Sequence, residues 1–188
     1  MTILDVILIF IGVVVIGLSA TQGLLRVLMM VFIFYVVCVA AGMATLAADI
    51  VQGLAAAVTG MLEAAAPPLQ MAQVFVFLGL LVPLFVGAYF LTRVAFADTT
   101  LPKLGGFDNL LGAVLGIVLA LLIMAVLFNT VGVAVNAPRR ATPGWTSAKT
   151  MFHYSMLRPY MMDVIRLYRG LLFMFNFMQY PPFFVPQG

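Results

Sequence analysis

Few side chains of this sequence carry groups suited to acid-base, nucleophilic or metal chemistry. His153 is the one histidine and Cys38 the one cysteine among 188 residues. A lone imidazole can ligate the metal of a pigment, which makes His153 a candidate cofactor ligand; the alternative is a hydrogen-bonded or interfacial histidine. Zinc sites, catalytic triads, phosphate loops and dinucleotide fingerprints need several residues at fixed spacing, and no such spacing is found. The sequence therefore predicts no enzyme, no metal site and no resident cofactor.

Four ionisable residues lie close to the ends of long apolar runs, where charge has two interpretations. Asp5 and Asp108 come near the start of such runs, and Arg26 and Arg93 lie beside others. A carboxylate is stabilised at a helix N-terminus, and an arginine can extend its guanidinium to lipid headgroups. We interpret the four as structural or interfacial residues, with ion or proton conduction as the alternative.

The composition restricts the class of protein. Hydrophobic residues make up 65% of the chain and charged residues 8%, against about 25% charged residues in soluble domains. Such a chain cannot cover a water-soluble surface, which predicts an integral membrane protein in contact with the lipid bilayer. The net charge of +3 does not point to nucleic acid, because the late cations suit anionic headgroups or a partner protein; these cations are Arg139, Arg140, Lys149, Arg158, Arg166 and Arg169.

Four apolar runs are long enough to cross a hydrocarbon core of about 30 Å as helices. They predict an all-α fold with spans at about 4–20, 24–48, 71–92 and 109–135. The first two must form a hairpin, since the connection between them is short. The more polar segment Asp49–Ala66 predicts a short helix at the surface or packed on the bundle.

The chain divides by composition into a transmembrane part, 1–137, and a C-terminal part, 138–188, with a basic linker, an amphipathic helix and an aromatic, proline-rich tail. From Leu157 to Leu172 the apolar residues fill one helix face, while Arg158, Arg166 and Arg169 fall opposite. This pattern is typical of a helix at a membrane interface, and a helix packed on a partner subunit is the alternative. We expect the tail to lie in the interface or against another protein.

The entry to the fourth run carries the most distinctive local pattern. Asp108 follows a glycine pair and is positioned to cap the fourth helix. Gly112 and Gly116 then form a small-xxx-small face, which allows another helix to approach closely in lipid. These three residues are therefore the predicted capping and packing positions.

These residues resemble a known family. The stretch Asp108–Gly116 is similar to the Asp-x-x-Leu-Gly-x-x-x-Gly entry to the last span of the colicin V production (CvpA-like) membrane proteins. Gly23 with Arg26 resembles the basic-glycine turn between that family's first two spans, and Asp5 precedes the first run as expected. The segment Ser155–Pro159 before an amphipathic helix resembles the family's tail. The resemblance implies a four-span protein of the bacterial inner membrane, linked to envelope physiology or export, with no catalytic residues to transfer.

The sequence departs from that family's pattern in one helix. Asn109 stands where the family commonly has arginine, and the stretch Ile117–Leu122 is wholly apolar where a basic residue is often found. A helix without those cations suits packing against lipid or another hydrophobic subunit.

Three functions follow as hypotheses. The first is a non-enzymatic, CvpA-like scaffold in envelope or export processes. The second is an accessory subunit of a large respiratory or photosynthetic complex, in contact with other membrane subunits and with lipid, quinone or pigment. The third is a channel or transporter.

The orientation of the termini rests on opposing signals. Arg26, Arg93 and Lys103 flank the short loops and favour those loops inside, with both ends outside, as the resemblance does. The six C-terminal cations favour the reverse orientation.

Overall fold

The computed structural model describes residues 1–45, 52–53, 69–95, 106–137, 143–171 and 181–185. Its helices are α1 (Ile3–Ala20), α2 (Leu24–Ala44), α3 (Leu69–Ala95), α4 (Gly106–Asn136), α5 (Pro143–His153) and α6 (Arg158–Leu171), followed by a short 3-10 turn at Pro182–Phe184. No strand occurs within these described ranges, which confirms the all-α fold.

Four of the helices, α1 to α4, are long and apolar enough to cross a membrane. This confirms the four predicted spans. Large apolar side chains cover the outer surface of α1, as lipid requires of a spanning helix; they are Ile3, Val6, Ile7, Ile9, Phe10, Val13, Val14 and Leu18.

The start of α1 is set by a reciprocal cap. The hydroxyl of Thr2 accepts a hydrogen bond from the Asp5 backbone N–H (3.4 Å), and the Asp5 carboxylate accepts one from the Thr2 backbone N–H (2.6 Å). This capping box satisfies two N–H groups near the start of the helix. It therefore fixes the first span one residue earlier than the sequence suggested.

The second span ends earlier than predicted. Helix α2 stops at Ala44 with Thr45 as its C-cap, and the Thr45 hydroxyl donates to the Gly42 carbonyl at 2.6 Å. Residues 46–48 of the predicted span lie outside the described residues. So does most of the predicted short helix at 49–66, of which Gln52 and Gly53 are helical.

Helix α3 continues through Pro83. Proline has no N–H, so the carbonyl of Gly79 one turn earlier lacks its usual helical donor. Packing by neighbouring helices stabilises such positions in membranes; here Phe85, two residues later, meets Phe34 of α2 edge to face with centroids 5.4 Å apart. Helix α3, at Leu69–Ala95, is longer at both ends than the predicted span 71–92.

Helix α4 is the centre of the bundle. It contacts α1, α2, α3, α5, α6 and the 3-10 turn, and its most extensive contact is with α1. The hydrophobic core around it draws residues from both sides of the predicted division at 137/138, including Phe34 and Phe128 from the spans and Phe152 and Tyr168 from α5 and α6. The division itself stays a prediction.

Candidate functional site

Asp108 lies in the first turn of α4 with its side chain buried. Its Oδ1 accepts a hydrogen bond from the backbone N–H of Leu24, the first residue of α2, at 2.9 Å. The N-cap of α2 is Gly23, which has φ 76° and no side chain that could cap the helix. Asp108 therefore supplies from α4 the cap that α2 lacks. The sequence suggested that Asp108 caps its own helix; the structure directs this carboxylate to α2.

Gly23 is required at this turn for two reasons. Its positive φ lies in the region that only glycine adopts readily. A Cβ at Gly23 would also overlap the Asp108 carboxylate. The hairpin turn and the carboxylate that caps α2 are therefore fitted to each other.

The predicted glycine face of α4 packs on the end of α1. A Cβ built on Gly112 would lie 2.9 Å from the Ser19 carbonyl oxygen, and one on Gly116 would overlap the Ser19 side chain. On α1 itself, a Cβ on Gly12 would lie 2.9 Å from the sulfur of Met124. The two helices approach closely because these positions lack side chains, as the small-xxx-small spacing indicates.

Asp5 joins α1 to the start of α6. Its carboxylate accepts hydrogen bonds from the Ser155 hydroxyl, from the Leu157 backbone N–H at 3.3 Å and from the Met156 backbone N–H at 3.4 Å. The side chain is buried, and these donors stabilise its charge. The resemblance identified Asp5 and the Ser155 segment separately, and the structure brings them together.

Asn129 is a buried polar residue of α4 that the sequence reasoning missed. Its Nδ2 donates to the carbonyl oxygens of Phe183 (2.5 Å) and Val185 (2.9 Å). A polar amide inside the apolar run 109–135 was the available signal, because polar groups within a span find hydrogen-bond partners.

The described part of the tail packs on the chain itself. Phe183 stacks on Phe77 of α3 with centroids 4.3 Å apart, and Phe184 meets Tyr168 of α6 edge to face at 6.1 Å. The rings of Phe183 and Phe184 are fully buried. The expectation that the tail lies in the interface or against another protein stays a prediction; the structure shows that residues 181–185 pack on the chain's own helices. The physical reason is that Asn129 satisfies the carbonyls of the turn while the aromatic rings fill the core.

Helix α6 is amphipathic, and its apolar face is used within the chain. Met161, Ile165 and Tyr168 are buried, and α6 packs on α4. Leu167 and Leu171 remain exposed. The apolar face thus contacts the chain's own bundle, while a second apolar edge stays uncovered by the described residues.

The three predicted arginines of α6 differ in surroundings. The Arg158 guanidinium lies 5.7 Å from the ring centroid of Phe152, a cation-π geometry. Arg166 pairs with Asp163 at 3.0 Å on an exposed surface, where a salt bridge contributes little to stability. Arg169 is exposed.

Tyr168 lies beside Cys38 of α2, and its hydroxyl is buried without a hydrogen-bond partner in the described structure. Burial, together with the neighbouring thiol, raises the pKa of Tyr168 above its ordinary value, so the phenol stays neutral. Beside it, a largely apolar groove of about 780 Å³ runs between α2, α4 and α6. The Tyr35 hydroxyl donates to the Leu171 carbonyl at this groove at 3.3 Å.

His153 ends α5 and is exposed. Its Nδ1 lies 3.0 Å from the carbonyl oxygen of Lys149, one turn earlier. Within the described ranges, no group of three or more His, Cys, Asp and Glu residues is positioned to hold a metal. This hydrogen bond gives the His153 ring a partner within its own helix. The role of His153 as a cofactor ligand stays a prediction.

Arg26 and Arg93 come together at the end of the bundle that carries the α1–α2 turn. Arg26 lies in the first turn of α2, and Arg93 in the last turn of α3. Both line a pocket of about 160 Å³ together with Gln22 and Tyr89. Three other predicted cations, Lys103, Arg139 and Arg140, lie outside the described residues.

These features define an α-helical, multi-pass membrane protein in which buried carboxylates and an amide join elements that are distant in the sequence. The family model described as colicin V production protein matches residues 4–166. The chain therefore belongs to the colicin V production family, as its motifs suggested, and this family is not a known enzyme family. No curated protein and no solved structure matches the chain.

Proposed function

We propose that this protein is a non-enzymatic scaffold of the bacterial inner membrane that acts in envelope or export processes. Family membership over residues 4–166 supports the envelope context. The scaffold role rests on how the chain uses its two buried carboxylates.

Asp5 and Asp108 both serve as backbone acceptors. Asp5 accepts from the amides at the start of α6, and Asp108 accepts from the first amide of α2. A carboxylate that conducts protons or activates a nucleophile must exchange protons with a substrate or with water. These two instead have donors from their own chain, as expected of groups that hold helices in place.

Within this proposal, the surface for contact with a partner is the part of α6 that the rest of the described chain leaves uncovered. The exposed apolar edge of α6, at Leu167 and Leu171, lies beside the exposed Arg166 and Arg169. An apolar edge beside cations suits the lipid headgroup region or another subunit at that depth. The scaffold would thus present α6 while the four spans hold it in position.

Complementation measured against protein abundance tests the proposal. A strain of the source bacterium lacking this gene would receive wild type, Asp5→Asn, Asp108→Asn or His153→Ala. Envelope integrity and export would be compared with the amount of folded protein in the membrane. For a scaffold, function follows abundance in every variant, because no single polar group performs a reaction.

The variant that separates the two interpretations most clearly is His153→Ala. His153 is exposed and bonds within its own helix turn, so the variant should accumulate normally and complement fully. A variant present at wild-type abundance with native helicity, yet unable to complement, would contradict the scaffold proposal. It would point instead to chemistry or transport at that residue.

The second candidate function is an accessory subunit of a large respiratory or photosynthetic complex. The groove of about 780 Å³ between α2, α4 and α6 favours it, since such a groove suits an acyl chain or the isoprenoid tail of a quinone or pigment. Purification in a gentle detergent followed by mass spectrometry discriminates the two. A stoichiometric complex would support the second function, and a lone chain would count against it.

A further inference from the structure

The pocket that contains Arg26 and Arg93 is built from the α1–α2 hairpin and from α3, which is distant from it in the sequence. Leu18, Thr21 and Gln22 come from the end of α1 and its turn, Arg26 and Met30 from α2, and Tyr89 and Arg93 from α3. The pocket measures about 160 Å³ and is lined mainly by polar groups. Two guanidinium groups therefore border one small polar cavity at the end of the bundle.

The positive charge of Arg26 is unfavourably placed with respect to the dipole of its own helix. A cation in the first turn of a helix meets the positive end of the macrodipole, whereas Arg93, in a last turn, is favourably placed. The Asp108 carboxylate bonds to the first amide of α2 and offsets that positive end. Asp108 thus makes it less costly to hold Arg26 beside Arg93.

A neutral donor completes the lining. The Gln22 side-chain amide donates to the Tyr89 hydroxyl oxygen at 3.3 Å. Since the Tyr89 oxygen serves as the acceptor in this bond, its own hydrogen is available to donate. Arg26 already has an interaction within the chain, but a guanidinium carries five N–H donors, so both arginines can also donate to a ligand. Together with the phenol hydroxyl they match the acceptor oxygens of a tetrahedral oxyanion.

Beneath this pocket lies a small apolar cavity. It measures about 70 Å³ and shares Leu18, Gln22, Met30 and Tyr89 with the polar pocket. This cavity is too small for an acyl chain, but it adds apolar surface directly beside the polar groups. The pocket also lies at the end of helices long enough to span the membrane, which is the depth of lipid headgroups. This position favours a lipid over a free ion.

We propose that Arg26, Arg93 and Tyr89 bind a phosphate group, and that its source is the phosphodiester of an anionic glycerophospholipid headgroup. Free inorganic phosphate offers the same oxyanion chemistry and is the other source. The site goes beyond the scaffold role and does not depend on it, because it concerns a ligand at the opposite end of α1 from the Asp5 contact.

Native mass spectrometry of the full chain in detergent tests the site with three soluble probes. Dioctanoyl phosphatidylglycerol carries phosphate and acyl chains, dioctanoylglycerol carries the same chains without phosphate, and inorganic phosphate carries the anion alone. We expect phosphatidylglycerol to bind saturably and dioctanoylglycerol to bind at least about tenfold more weakly, since charge-assisted hydrogen bonds are lost.

Variants assign the binding to the pocket. Arg26→Gln and Arg93→Gln should each weaken phosphatidylglycerol binding about tenfold, and Tyr89→Phe should weaken it less because it removes a neutral donor. The matched control is Lys149→Gln, which removes one exposed cation of α5 at the other end of the bundle and should leave this affinity unchanged. Arg26→Lys keeps the positive charge at this position. If Arg26→Gln does not fold, Arg26→Lys still tests in a folded chain whether the guanidinium of Arg26 is needed for binding.

The outcomes separate the two sources. Strong binding of phosphatidylglycerol with weak binding of inorganic phosphate supports the headgroup, and equal binding of both supports a free-phosphate site in the same pocket. Either result requires sensitivity to Arg26→Gln and Arg93→Gln. If folded Arg26→Gln and Arg93→Gln bind phosphatidylglycerol like wild type, or if dioctanoylglycerol binds equally well, the proposal is overturned.

Discussion

At the scale of single residues, buried polar groups join helices at three places. Asp108 accepts a hydrogen bond from α2, Asp5 accepts hydrogen bonds from the start of α6, and Asn129 donates hydrogen bonds to the 3-10 turn. Each uses backbone groups that would otherwise lack a partner at the end of a helix or within a turn. Because each partner is distant in the sequence, removing one of these side chains affects how two elements fit together.

Asp108→Ala should lower the free energy of unfolding by about 1–2 kcal/mol, the range found when a helix cap is lost. The expected cause is the unsatisfied Leu24 N–H at the start of α2. Unfolding in increasing dodecyl sulfate, followed by circular dichroism, measures the change. Asp163→Asn is the control, since Asp163 is exposed and makes a surface ion pair. Equal stability of the two variants would mean that the cap contributes nothing.

Gly116→Ala should be destabilising by about 1–3 kcal/mol, as is typical when a methyl group is forced into a packed contact. Its Cβ would overlap the side chain of Ser19. The same unfolding titration measures the effect. Gly17→Ala is the control, because a Cβ there meets nothing within 4 Å.

The double variant Gly116→Ala with Ser19→Gly tests the cause. Removing the Ser19 side chain takes away the overlapped atoms, so part of the lost stability should return. Additive losses in the double variant would place the strain somewhere other than at the contact between α1 and α4.

At the scale of elements, the 3-10 turn is held by one amide and two aromatic rings. Asn129→Leu removes both hydrogen bonds to the turn, at a cost of about 1–2 kcal/mol for the pair. We expect the turn to open and chymotrypsin to cleave after Phe183, whose ring is fully buried in the wild type. Mass spectrometry of the digest reports the cut, with the exposed Asn136→Leu as control. Equal resistance in both variants would show that aromatic packing alone holds the turn.

The elements themselves were largely predictable from sequence, and their contacts were not. Bilayer thickness sets how long an apolar helix must be, so run length indicated four spans. Pattern alone could not show that Asp108 bonds to a residue 84 positions earlier, or that residues 181–185 fold back onto α4. Such contacts depend on which helix faces meet. When a helix is apolar on all sides, its sequence does not indicate which face packs against a neighbouring helix.

At the scale of the whole molecule, four crossings put residues 1 and 137 on one side of the membrane. The contact between Asp5 and Ser155 agrees, because it brings the start of α6 to the N-terminal end of α1. Arg26 and Arg93 gather at the other end. The two ends of the bundle therefore carry different polar groups, Asp5 with Ser155 at one end and Arg26 with Arg93 at the other.

Short loops flanked by cations tend to stay in the cytoplasm, so we expect the end with Arg26 and Arg93 inside and the end with Asp5 outside. In a Cys38→Ala background, a membrane-impermeant maleimide should label His153→Cys in spheroplasts and Thr21→Cys only after the membrane is permeabilised. Both residues are exposed, and they lie at opposite ends of the bundle. The reverse labelling would mean that the cations of α6 and the preceding linker set the orientation. It would also place the phosphate pocket in the outer leaflet.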